Sequence, residues 1–208
     1  VKSFPSIKTV VLNVNKRKTS IVLGNEEKVL YGKGFIVDEL CGLTFKISPK
    51  SFYQINPAQT EVLYQKAMEL AGFTGKETVI DAYCGIGTIG IIASHEAASV
   101  VGVELNPDAV RDAITNAKLN KRSNITFYCN DATRFLTNMA ERGEKADVVI
   151  MDPPRSGSTE EFMASIGKMG AKKVIYISCN PETLARDLKY MKKMGYRAVE
   201  GWGVDMFP

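Results

Sequence analysis

From about residue 57 onward, short apolar runs alternate with helix-length stretches, and that alternation limits the fold more than any other feature. The runs are Thr78-Val79-Ile80-Asp81, Val100-Val101-Gly102-Val103-Glu104, Ile125-Thr126-Phe127-Tyr128, Asp147-Val148-Val149-Ile150-Met151-Asp152 and Lys173-Val174-Ile175-Tyr176-Ile177-Ser178. Each is too short for a helix and apolar on both faces, which predicts a buried parallel strand. Asn56-Pro57, Asn106-Pro107 and Asn180-Pro181 mark helix starts. Asn accepts an orphan N–H at the cap, and Pro is preorganised for the first turn. A β–α–β–α succession predicts an α/β fold, a Rossmann-like doubly wound sheet with right-handed crossovers. Ligands of such sheets bind beyond the carboxyl ends of the strands.

Residues 1–50 read differently. Thr9-Val10-Val11-Leu12-Asn13-Val14 and Thr19-Ser20-Ile21-Val22-Leu23-Gly24 flank Asn15-Lys16-Arg17-Lys18, which predicts a hairpin. Leu43-Thr44-Phe45-Lys46-Ile47-Ser48 alternates apolar and polar positions and predicts another strand. The expected organisation is an antiparallel β appendage over 1–50 and an α/β domain over 51–208. The chain opens on Val1 and not on Met, as expected of a piece of a longer chain.

Four cysteines (Cys41, Cys84, Cys129, Cys179) and one histidine (His95) are scattered without a CxxC pair. That spacing suits no zinc site, iron–sulfur cluster or disulfide framework, so no metal and a reducing cytoplasm are expected. No apolar run approaches the roughly 20 residues of a membrane span, and no leader is evident at residue 1. The net charge of +4 is compatible with a polyanionic partner without requiring one.

The chemistry is expected just after the strands. Asp81-Ala82-Tyr83-Cys84-Gly85-Ile86-Gly87-Thr88-Ile89-Gly90 contains GxGxxG in Gly85, Gly87 and Gly90. Glycine allows a sharp turn and close backbone approach to a ligand. Glu104 ends the next strand, where a carboxylate can hold ribose hydroxyls. This predicts a nucleoside-cofactor site for a dinucleotide or S-adenosylmethionine. Asp81 disfavours a pyrophosphate and favours the cationic methyl donor. Asp131 is placed either to accept from an adenine amine or to cap the next helix. Met151-Asp152-Pro153-Pro154-Arg155 predicts a rigid extended loop suited to a planar target. Cys179 directly precedes a capped helix, whose partial positive charge favours thiolate and marks it as a nucleophile.

Ser51-Phe52-Tyr53-Gln54-Ile55-Asn56, the Asp81–Thr88 stretch, Asp152-Pro153-Pro154-Arg155 and Ser178-Cys179-Asn180-Pro181-Glu182-Thr183-Leu184-Ala185-Arg186-Asp187 together resemble the RNA (uracil-5-)-methyltransferases. The resemblance implies a Class I S-adenosylmethionine-dependent methyltransferase fold. It implies cofactor contacts at Gln54, Tyr83, Glu104 and Asp152, and a nucleophile at Cys179. It implies methyl transfer to carbon 5 of a uridine through a cysteine adduct at carbon 6. RNA is the implied partner, ribosomal (23S) in preference to transfer RNA. The family's general base lies in a His- and Glu-containing segment beyond position 208. The expected sheet is accordingly incomplete, with a sixth strand over Arg197–Val204 and the seventh lacking. Two other classes remain open: a nicotinamide-linked oxidoreductase, which leaves Cys179 and the Pro-Pro loop without roles, and a non-catalytic RNA-binding fragment.

Overall fold

The structure, a computed structural model, describes residues 3–16, 18, 22–24 and 26–207. Strands β1 (Val10–Val14) and β2 (Glu26–Tyr31) form one antiparallel pair, and β3 (Ile36–Leu40) and β4 (Leu43–Ile47) form another. Helix α1 (Pro57–Ala71) leads into a parallel sheet of β5 (Thr78–Ala82), β6 (Ser99–Glu104), β7 (Ile125–Cys129), β8 (Val148–Met151) and β9 (Lys173–Tyr176). The connecting helices are α2 (Thr88–Ala93), α3 (Pro107–Leu119), α4 (Ala132–Glu141) and α5 (Glu160–Met169), and α6 (Pro181–Lys193) follows β9. All five strands expected of the sheet are present.

The sheet order is β7-β6-β5-β8-β9. The chain enters at the centre, runs outward to β7, and resumes on the other side of β5 at β8. The order therefore reverses between β5 and β8, where doubly wound sheets open a crevice. Alternate residues of each strand serve opposite faces. Val79 and Ile150 join Phe45, Tyr64 and Ile91 in one buried layer. Ile80, Val149 and Met151 join Leu136, Phe162 and Ile166 in the other. Each Asn-Pro pair opens a helix: Asn56, Asn106 and Asn180 accept from the backbone N–H of Gln59, Asp108 and Glu182 at 3.3, 2.9 and 3.0 Å.

The two hairpins relate differently to this core. Leu40, Leu43 and Phe45 of the second are buried within the first layer. Asn116 of α3 and Asn120 just after that helix hold its edge as a neighbouring strand would. Asn116 accepts from Lys46 N at 2.7 Å and donates to Lys46 O, while Asn120 accepts from Thr44 N at 2.9 Å and donates to Thr44 O. In contrast, every residue of β2 is exposed.

Two expectations are corrected. The partner of β1 is β2 and not residues 19–24. Thr19, Ser20 and Ile21 lie outside the described residues, and Val22–Gly24 form no strand. The Asn13 side chain claims Gly24 instead, accepting from its N–H at 2.7 Å and donating to its carbonyl at 3.0 Å, which bends the segment away from a ladder. Residues 197–204, expected as a sixth strand, carry no regular structure. An extended segment becomes a strand only when a neighbour takes its backbone groups. Here the segment lies over α1 instead: Lys66 sits 4.1 Å from the Trp202 ring centre, and Asn56 donates to Met206 O at 3.2 Å.

Candidate active site

The turn after β5 is unusual backbone. Tyr83, Gly85 and Gly87 all have positive φ, at 64°, 54° and 82°. A tyrosine in that region is strained, and such strain concentrates at functional sites. At Gly85 an added Cβ would meet nothing within 4 Å, so its face is open to a ligand. Gly87 opens α2, and a Cβ there would come within 2.8 Å of the Phe127 ring. Asn116 also donates to Ile86 O at 3.1 Å, which ties this turn to α3 and to the second hairpin.

Glu104 braces the turn from the end of β6. Its carboxylate accepts from Gly85 N at 3.0 Å and from Asn106 N at 2.7 Å. Asp81 behaves otherwise than expected: it is 1% exposed and turned inward, accepting from Gly90 N at 2.7 Å. Its other oxygen has no partner. Burial, with smaller contributions from the charges of Asp152 and Glu104, pushes its pKa up to about 8. At neutral pH it is therefore a protonated structural group, which weakens the electrostatic argument for a cationic ligand.

A narrow cleft of about 40 Å³ opens over this turn, lined by Phe52, Gln54, Tyr64, Tyr83, Gly85 and Asp152 among others. Gln54, Tyr83, Gly85 and Asp152, singled out separately in the sequence, thus meet at one place. Burial raises Asp152 to about 6. Glu104 reaches the cleft through its bond to Gly85. Asp131 is exposed, does not line the cleft, and caps α4 by accepting from Arg134 N at 2.9 Å. A larger open depression of about 420 Å³, lined by Cys41, Met68, Phe73 and Glu96 among others, lies at the far end of α1, away from the strand ends.

Cys179 lies outside the cleft lining, on the exposed loop between β9 and α6. The loop after β8 joins the two places. Its Asp152 lines the cleft, and its Arg155 carbonyl accepts from Asn180 Nδ2 at 3.3 Å and from Thr183 Oγ1 at 3.1 Å. All four cysteines are free. Burial drives the Cys84 thiol well above its ordinary value and raises Cys41 as well, so neither is a ready nucleophile. Sequence reasoning missed the inward turn of Asp81 and the attachment of the β8 loop to α6. The repeated polar residues of Asn180–Asp187 were the available signal for the second.

No three His, Cys, Asp or Glu residues among those described are grouped to hold a metal. Among the described residues no helix is long and apolar enough to cross a membrane.

Comparison with known proteins bears on the same site. Residues 14–200 match the family model for tRNA (uracil-5-)-methyltransferases. An uncharacterized RNA methyltransferase of Caldanaerobacter subterraneus is 50% identical over 204 residues, 98% of this chain and 45% of the relative. Another from Halalkalibacterium halodurans is 46% identical over 207 residues, with 100% and 45% covered. The chain thus spans about half the length of the curated relatives it matches. Among solved structures, the Pyrococcus abyssi tRNA (uracil-54, C5)-methyltransferase in complex with S-adenosyl-L-homocysteine superposes with a TM-score of 0.83. It is 30% identical, with 100% of this chain and 49% of that one covered. The fold is that of the S-adenosylmethionine-dependent methyltransferases, and the chain belongs to the tRNA (uracil-5-)-methyltransferase family.

Proposed function

We propose that this chain carries the transfer centre of an RNA (uracil-5-)-methyltransferase, with Cys179 as nucleophile and S-adenosylmethionine as methyl donor. The observation that carries the reading is the β8 loop, which borders the cleft at Asp152 and the exposed thiol's helix at Asn180 and Thr183. The cleft suits the donor: Gly85 leaves open space, and Glu104 presents a carboxylate that still has free lone pairs. When bound, S-adenosylmethionine supplies an electrophilic methyl group. Glu104 holds the ribose hydroxyls, the Gly85–Gly87 backbone lies against the cofactor, and Gln54, Tyr83 and Asp152 line its remaining boundary. Asp131 offers its second oxygen to the adenine amine.

Uracil carbon 5 is a weak nucleophile. The Cys179 thiolate attacks carbon 6, and the double-bond electrons move toward O4 as an enolate, which makes carbon 5 nucleophilic. Carbon 5 would take the methyl group as the donor's sulfur–methyl bond breaks and S-adenosylhomocysteine leaves; a base then removes the carbon-5 proton and the Cys179 Sγ–carbon 6 bond breaks, returning the thiolate. The uracil must leave its stack to reach the thiol, which an exposed loop permits. A nicotinamide-linked role gives Cys179 nothing to do and disagrees with the family. We take 23S ribosomal RNA as the first candidate substrate. Transfer RNA, named for the Pyrococcus neighbour, is the second.

The test uses 5-fluorouridine transcripts of both RNAs, because fluorine at carbon 5 blocks release of the adduct. Wild type with S-adenosylmethionine should give a denaturation-resistant complex with one of them, attached at Cys179 by peptide mapping. A complex with neither, while cofactor binds, would leave only a binding role.

A further inference from the structure

The Leu184-Ala185-Arg186-Asp187 end of the last sequence motif has no part in the scheme above, yet it forms a dense polar cluster. Asp187 is fully buried. It accepts from the backbone N–H of Ser158 at 2.8 Å and from the Tyr176 hydroxyl at 2.7 Å, and it pairs with Arg186 at 2.7 Å. Arg186 donates to the carbonyls of Ser156 at 2.8 Å and Ser158 at 3.2 Å. At Gly157 an added Cβ would come within 2.5 Å of Asp187 Oδ2 and 2.6 Å of an Arg186 nitrogen, so the loop is pressed directly onto the pair. Ser158 also faces the cofactor turn, its hydroxyl 3.1 Å from that of Tyr83. Burial and the bond to Asp187 keep the Tyr176 phenol protonated as a donor.

One carboxylate therefore gathers the end of β9, the loop after β8 and the helix that begins beside Cys179. A lone stabilising ion pair would need neither Arg186's bonds to two loop carbonyls nor Asp187's bond to the loop N–H. We propose that Arg186 and Asp187 are positioning residues for methyl transfer, clamping the Asp152–Ser158 loop to the Cys179 helix and, through Ser158, to the cofactor turn at Tyr83. The inference rests on the transfer function proposed above. Its physical basis is proximity: small displacements of reacting groups cost large factors in rate. A fixed loop holds the thiol and the cleft in one relation.

The Arg186 side chain is 56% exposed, so Arg186→Ala removes the bonds to the loop without opening a cavity. Arg186→Lys keeps the charge but not the planar fork that reaches several acceptors. Both variants of the full chain are compared with wild type for S-adenosylhomocysteine affinity by calorimetry, thermal midpoint, and rate of adduct formation on the 5-fluorouridine transcripts. Arg186→Ala should slow adduct formation roughly 10- to 100-fold. Cofactor affinity should stay within about two-fold, and the rate should recover in part in Arg186→Lys. Hydrogen exchange at residues 156–158 should rise in Arg186→Ala in parallel. An unchanged adduct rate overturns the proposal, as does a fall in cofactor affinity matching the fall in rate, since that is general loosening. Wild type that forms no adduct with either RNA defeats the transfer function itself, and the positioning role with it.

Discussion

The two halves of the site are built by different means. On the β5–β6 side, carboxylates hold main-chain amides: Asp81 holds Gly90, and Glu104 holds Gly85 and Asn106. The parts are local, close to the core and already in place before any ligand arrives. On the β8–β9 side one carboxylate does the same, Asp187 for Ser158, but most ties are side chains that hold carbonyls: Asn180 and Thr183 hold Arg155, and Arg186 holds Ser156 and Ser158. Those parts come from segments about thirty residues apart and present an exposed thiol. A small cofactor can be met by a preformed turn of backbone. A macromolecule must reach its reactive group from outside, so that group stays at the surface and its surroundings are fixed by ties to the helix behind it. The two sides should therefore fail independently, and mutations can separate them.

The largest separation should come from Cys179→Ala. Adduct formation should fall by roughly 10³-fold or more, because no other described thiol is both exposed and next to the β8 loop. S-adenosylhomocysteine affinity, measured by calorimetry, should hardly change. If Cys129→Ala, which alters the other exposed thiol, abolished capture instead, the thiol would be misassigned.

Asp81→Asn probes whether the cofactor side uses that acid as structure or as charge. In the folded chain Asp81 keeps its proton up to about pH 8, while an unfolded aspartate releases it near 4. The folded state thus binds more protons across this window, and wild-type stability falls as pH rises through it, by about 1.4 kcal/mol per unit at most. Over the window this reaches several kcal/mol. Asn retains the acceptor for Gly90 N and does not titrate, at the expense of a buried amide with no partner. Thermal midpoints from pH 5 to 9 should therefore cross, with wild type ahead at low pH and the variant ahead at high pH. Parallel curves would mean that Asp81 does not titrate across this window and is already ionised at pH 5.

Which of these features the sequence reveals depends on how local they are. The five strands and three Asn-Pro helix starts are legible because residues a few positions apart decide them. Gln54, Tyr83, Gly85 and Asp152 could be gathered because the fold class says where strand ends lie. The bonds of Asn116 and Asn120 to β4 span 70 to 76 residues, and Ser158 to Asp187 spans 29. No local pattern announces such pairs. Residues 197–204 fail as a strand for the same reason, since β propensity without a neighbour leaves the backbone unpaired. The inward turn of Asp81 is not legible because side-chain direction at a strand end depends on what packs above it, here Gly90 of α2.

Glu104→Ala tests the cofactor side directly. Losing hydrogen bonds to a charged acceptor should cost about 1.5–3 kcal/mol of cofactor binding, roughly 10- to 150-fold in Kd. Part of that arises from release of the Gly85 amide that Glu104 now holds. At saturating cofactor the adduct rate should stay near wild type, because among the described residues Glu104 bonds Gly85 and Asn106 and not the β8–β9 side. An unchanged affinity removes Glu104 from the site, and a matching loss of adduct rate breaks the separation of the two halves.

The smallest effect is expected at Asp131, where two roles share one carboxylate. One oxygen caps α4 through Arg134 N, and the other is free for an adenine amine. Asparagine caps a helix about as well as aspartate, while alanine does not, at about 1 kcal/mol. With its carbonyl in the cap, however, asparagine turns an NH₂ toward the adenine amine, donor against donor. Asp131→Asn should therefore keep the thermal midpoint and weaken cofactor binding by about 0.5–1.5 kcal/mol, the value of one hydrogen bond. Asp131→Ala should show the same weakening and lose the capping energy as well. Equal affinity for wild type and Asp131→Asn would make the residue a helix cap alone. The cofactor side would then end at Glu104.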